Sequence, residues 1–213
     1  MYLHKITNLE GFKMKIIVNE SQFRVLTEQQ GIEDFTARIA EEYADSVYML
    51  AFITHFIRTS GCQKISIASL KYGAAGVSLV DGIVISDQAF NYSFSGFLYI
   101  LFHETAHQYQ YKKYGVDAMY NCYTGELPVE EGAKWMKQVE NVADEFATRK
   151  IREMQQKFGE EYQLKEPEKL IYKDTPVEQF VQLINLFKEE IKKQGYQNKE
   201  EISEILFNYV KNG

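Results

Sequence analysis

The run His103-Glu104-Thr105-Ala106-His107 holds the residues whose types and spacing could do chemistry. Two histidines four apart on a helix stand one above the other on the same face, close enough for both imidazoles to reach one ion. Glu104, between them, projects beside that face, where it can take a proton without being a ligand. Zinc suits such a site, because it accepts N and O ligands tetrahedrally and tolerates an open position. Water held by such a zinc loses a proton near neutral pH, which makes a hydrolytic nucleophile. The flanks suit a buried helix: Ile100, Leu101 and Phe102 precede the run, Thr105 and Ala106 within it are uncharged, and Tyr109 follows. Two histidines buried on such a face each need a polar partner, so packing alone gives no reason for them.

A site of this type needs a third protein ligand. The chain has 4 His, and the other two, His4 and His55, are distant in sequence. His55 lies in the apolar run 51–57 and reads as a core or surface residue. Further on, Glu140-Asn141-Val142-Ala143-Asp144 places two carboxylates at i and i+4 on one helical face. Ala143 and Ala147 keep that face small enough for a second helix to approach closely. One carboxylate would complete a site of two histidines and an acid, and the other would hold a ligand imidazole in the right tautomer. Spacing alone does not choose between them.

Taken together, His103-Glu104-x-x-His107 followed by Glu140-x-x-x-Asp144 resembles the gluzincin branch of the zincin metallopeptidases. The run Glu140-Asn141-Val142-Ala143-Asp144-Glu145-Phe146-Ala147 is similar to the corresponding segment of short ImmA/IrrE-type zinc peptidases, and the resemblance spans roughly residues 64–151. It implies Zn2+ held by His103, His107 and Glu140, with Asp144 orienting an imidazole and Glu104 as general base. It also implies a peptide or protein substrate and a zincin-like α+β fold, with a small twisted antiparallel sheet packed against the active-site helix and further helices. In these enzymes a Tyr or His often steadies the oxyanion, but no spacing singles out one of Tyr109, Tyr111, Tyr120 and Tyr123. The run 14–23 resembles the starts of some bacteriophage proteins. That keeps open a second class, a phage- or host-associated binding or structural protein that retains the fold with little or no general proteolysis.

The elements that must position these residues are legible along the chain. Met14–Val18 reads as a strand, and Asn19 with Gln22 as the cap of a brief helix. Apolar residues at 35, 39, 43, 50, 53 and 57 predict one helix from Ile32 to about Arg58, ended by Gly61. Lys64–Leu70 alternates like a strand, and Asp81-Gly82 between Val77–Val80 and Ile83–Ser86 is a hairpin signal. Three antiparallel strands are therefore expected before the active helix. That helix should start at Ser93 or Ser95 and stop at Gly115, followed by irregular chain to about Glu131. A second long helix is predicted from about Lys134 to Lys157, closed by Gly159. Thr175-Pro176-Val177-Glu178 opens another helix, and Asn198 caps the last, to about Val210.

The 213 residues allow one catalytic domain, expected over 1–160, with a helical extension over 161–213 that packs on it or caps it. A net charge of −6 and no stripe of Lys and Arg exclude a nucleic-acid binder. No segment is apolar for long enough to span a bilayer. The N-terminus lacks the pattern of a signal peptide, and Cys62 and Cys122 are not spaced as a metal knuckle, so the expected setting is cytoplasmic.

Overall fold

The computed structural model describes residues 31–43, 46–165 and 172–212. The strand expected at Met14–Val18 and the brief helix after it lie outside these residues. The architecture is mixed α and β and mostly helical. In order come α1 (Ile32–Glu42), α2 (Val47–Ser60), β1 (Lys64–Ala68), β2 (Gly76–Ser78) and β3 (Gly82–Ser86). A single 3-10 turn (Asp87–Asn91) leads to α3 (Phe94–Thr124), α4 (Val129–Tyr162), α5 (Val177–Gln194) and α6 (Lys199–Asn212).

One helix was expected over the first two. Tyr43 instead leaves helical geometry at φ −133°, and Ser46 is extended. The cause is tertiary. The Tyr43 ring stacks on Phe90 and Phe94, and its hydroxyl donates to the Phe90 carbonyl at 2.7 Å. Helical periodicity carried across that point could not register a side chain committed to a distant turn.

The sheet is mixed rather than antiparallel. β3 lies in the middle, parallel to β1 (Ile65↔Ile83, Ile67↔Ile85) and antiparallel to β2 (Val77↔Val84). All five residues of β3 are buried, and a strand buried along its whole length belongs where both edges can be paired. The hairpin falls close to the expected place. Leu79 and Gly82 exchange main-chain hydrogen bonds at 2.8 and 3.4 Å across Val80-Asp81, so the turn sits one residue earlier than Asp81-Gly82.

Beneath the sheet, one apolar core joins the elements from α1 to α4 other than β2. It holds Phe35 and Ile39 of α1, Ile53 and Ile57 of α2, Ile83 and Ile85 of β3, Phe97 and Phe102 of α3, and Ala147 and Ile151 of α4. Two smaller clusters dock the last helices. Phe180 and Ile184 of α5 pack with Cys122, Ala133 and Met136, while Ile191, Ile202 and Ile205 pack with Tyr120.

Those clusters also account for the run after Gly115. Gly115 breaks α3 with φ 81° and ψ 159°, a backbone that glycine adopts at little cost. The chain then resumes the helix to Thr124, where irregular structure was expected, and so delivers Tyr120 and Cys122 to α5 and α6. Helix α4 is likewise longer than expected at both ends and runs through position 159. A glycine inside a helix costs only about 1 kcal/mol, less than the packing of Leu164 and Tyr162 beyond it provides.

The caps agree more closely. Ser93 Oγ accepts from the Gly96 amide at 3.2 Å, and Asn198 Oδ1 from the Glu201 amide at 3.0 Å. Pro176 occupies the cap position of α5. Among the described residues, no helix is long and apolar enough to cross a membrane.

Candidate metal centre

Helix α3 passes through the molecule with almost every residue from Phe97 to Gln108 buried, as a helix enclosed on all sides must be. Its polar groups therefore need internal partners. Thr105 returns its hydroxyl to the Leu101 carbonyl at 2.6 Å. The histidines turn to α4, the helix in most extensive contact with α3, along a face kept thin by the fully buried Ala143 and Ala147.

Three ligand-type atoms converge between the two helices. His103 Nε2 lies 3.1 Å from His107 Nε2 and 3.0 Å from Glu140 Oε2, and His107 Nε2 lies 3.5 Å from the same oxygen. A tetrahedral zinc with bonds of about 2.0–2.1 Å spaces its ligand atoms about 3.3 Å apart. The sides of the triangle, 3.0, 3.1 and 3.5 Å, lie within about 0.3 Å of that spacing. Of the residues singled out in the sequence, these three come together as a group able to hold a metal ion.

Asp144, one turn beyond Glu140, reaches behind His103. Its Oδ1 is 3.0 Å from His103 Nδ1 and accepts the Tyr99 hydroxyl, while Oδ2 accepts the Tyr172 amide at 2.9 Å. His103 is thereby held at Nδ1 and leaves Nε2 facing the cluster. His107 has a counterpart: its Nδ1 is 2.7 Å from Gln110 Oε1.

Glu104 is buried at the side of the pair, against β2. A Cβ built on Gly76 would lie 2.7 Å from Glu104 Cγ and 3.0 Å from Oε1. The missing side chain at 76 is therefore the space that the Glu104 carboxylate occupies. From the next turn of α3, Gln108 donates to Ser78 Oγ and the Leu79 carbonyl, both at 2.6 Å, and fixes the hairpin against the helix.

Burial and mutual charge set the protonation of the cluster. Burial alone would lower the basicity of His103, but its hydrogen bonds to Asp144 and Glu140 push its pKa up to about 10. His107 is also raised, against burial, by the charge of Glu140. Burial works against the charged form of Glu140 too, yet the two imidazoles hold its carboxyl well below the usual range. Glu104 goes the other way. Burial raises its pKa, and the histidines only partly offset that. The two acids of the cluster thus differ in proton affinity, Glu104 shifted up and Glu140 down.

Sequence reasoning missed Gln110, Gln108, Gly76, Tyr99 and Tyr172. Gln110 had a local signal, since i+3 from His107 puts it on the same face. Tyr172 had none. It follows α4 by ten residues, and its ring lies 5.5 Å from that of His103. Among the tyrosines considered from sequence, Tyr109 pairs with Thr59, and Tyr111 with Tyr120 at 2.6 Å. His55 is exposed, and Cys62 and Cys122 are free and buried. Comparison of the chain with protein-family models, with curated proteins and with solved structures gives no match.

Proposed function

We propose that this chain is a zinc-dependent metallopeptidase with a zincin-like fold, acting on a peptide or protein substrate. The observation that carries the reading is the triangle of His103 Nε2, His107 Nε2 and Glu140 Oε2, with sides of 3.0, 3.1 and 3.5 Å. A purely structural reason for the cluster is weak. Buried ionic groups of this kind are often no better for stability than apolar residues of the same volume. His103, Glu104, His107 and Asp144 are each under 10% exposed.

Zinc, when bound, would acidify a water and polarise a carbonyl oxygen. His103, His107 and Glu140 would hold it. Glu104, whose proton affinity burial raises, takes the proton of the attacking water on its carboxylate and returns it to the leaving amine. Asp144 keeps the His103 ring from turning. Two free, buried thiols suit a reducing, cytoplasmic setting.

The test has two arms. Elemental analysis of protein purified without added zinc should find about one zinc per chain, with restoration by added zinc after chelation. Glu104→Gln should keep the zinc and the fold while losing nearly all hydrolysis of unfolded casein or of a partner protein, because an amide cannot take the proton. A chain that takes up no zinc sinks the reading, and so does undiminished turnover in the Gln variant.

A further inference from the structure

Gln110 is 5% exposed, and its amide spans two groups that belong to different helices. Nε2 donates to the main-chain carbonyl of Val139 on α4 at 2.9 Å, and Oε1 lies 2.7 Å from His107 Nδ1. A carbonyl oxygen has no proton to give, so the end of the amide facing Val139 must be the NH2. That leaves the amide oxygen, an acceptor only, facing the ring. The His107 nitrogen opposite it must therefore carry the proton. In the neutral ring, the form that binds a metal, Nε2 at the other side then carries the lone pair, facing His103 Nε2 and Glu140 Oε2.

We propose that Gln110 is a positioning residue of the metal centre: pinned by the Val139 carbonyl, it holds His107 in the tautomer and orientation that offer Nε2 to a divalent metal. The inference rests on the metal-binding reading above. Its consequence is that the two ligand imidazoles are held differently, His103 by the anionic Asp144 and His107 by a neutral amide. The polarity of that amide is set by the residue just before Glu140. One turn of α4 thus supplies a ligand to the metal and aligns another ligand on α3. Without an acceptor at position 110, a buried Nδ1–H would have no partner, and the ring would gain by turning or by moving its proton to Nε2.

The experiment compares the wild type with Gln110→Met, which keeps length and loses both bonds, and with Gln110→Glu, which keeps an acceptor at the ring. Gln155→Met is the control, because Gln155 also donates to a backbone carbonyl, that of Leu164 at 2.9 Å, but away from the cluster. Zinc affinity is measured by chelator competition, and the His107 Nδ1–H is followed as a ring 15N–1H resonance in the zinc-loaded protein. Gln110→Met should bind zinc about 10- to 100-fold more weakly and lose that resonance to solvent exchange. Gln110→Glu should keep the resonance and bind more tightly than the Met variant, and Gln155→Met should match the wild type. Wild-type affinity in Gln110→Met, or weakened binding with the resonance intact, overturns the proposal. Should Gln110→Met not fold, loss of the resonance in Gln110→Glu overturns it equally. Wild-type protein that takes up no zinc sinks the metal reading itself, and this inference with it. That result is separate from zinc uptake indifferent to position 110.

Discussion

The main-chain amide of Tyr172 donates to Asp144 Oδ2 at 2.9 Å, which ties the segment before α5 to the carboxylate that also holds His103. Asp144 is fully buried, and its other oxygen serves both His103 Nδ1 and the Tyr99 hydroxyl. Asp144→Ala would take their shared acceptor from the His103 ring, the Tyr99 hydroxyl and the Tyr172 amide. We expect the metal-free protein to lose about 3 kcal/mol, since each orphaned group costs about 1–3 kcal/mol before relaxation. Urea denaturation checks this, and a loss below about 1 kcal/mol would mean the network relaxes freely. Zinc should still load when in excess, with affinity or activity down about 10- to 100-fold.

Glu140→Ala should behave differently. Its side chain is 20% exposed, so its removal costs less stability than that of Asp144. Two histidines alone would remain, and zinc should be lost at micromolar free metal. Parallel zinc titrations of the two variants decide between the carboxylates. If Asp144→Ala is the one that cannot be loaded, the ligand and the orienting residue have been exchanged.

Gly76→Ala should leave zinc binding intact and impair hydrolysis. The added methyl would sit 2.7 Å from Glu104 Cγ, so the Glu104 side chain must shift by several tenths of an ångström or more. Misplacing a reacting group by about 1 Å can cost about 100-fold in rate. Turnover measured beside zinc content separates this displacement from loss of metal. Full activity in the variant would show that the position of Glu104 does not matter to the reaction.

The two thiols should be inert in the native protein. Burial pushes both Cys62 and Cys122 up to about 12, and only the thiolate is the nucleophile. The sign follows directly: at pH 8 a thiol raised to that value is almost wholly protonated. A disulfide reagent at pH 8 should titrate two thiols per chain after denaturation and essentially none at early times before it. Rapid native labelling would mean that one of the two sites opens.

Much of the local structure around the site was legible in the sequence, because it depends on periods of two and of 3.6 residues and on end groups. Ser93 and Asn198 cap the helices for which they were named, and the hairpin lies within one residue of Asp81-Gly82. The juxtaposition of His103 with His107 is a property of helix pitch. So is the shared face of Glu140 and Asp144.

What the sequence by itself determined is which residues each element would present, and on which face. The tertiary structure alone decided which elements meet. β1 pairs with β3 in parallel, because a strand buried on every residue must be paired on both edges, and no local pattern says by which strand. Tyr43 breaks a helix that its own neighbours would continue, because it packs against Phe90 and Phe94 from a distant turn. Gly115 interrupts α3 without ending it, because Tyr120 and Cys122 beyond it pack on the last two helices. At the site, Gln110 is three residues from His107, yet its role depends on the Val139 carbonyl of another helix. Helix pitch acts within a few residues and can be counted along the chain. Pairing, packing and the direction of a hydrogen bond between two helices depend on groups brought together only by the fold.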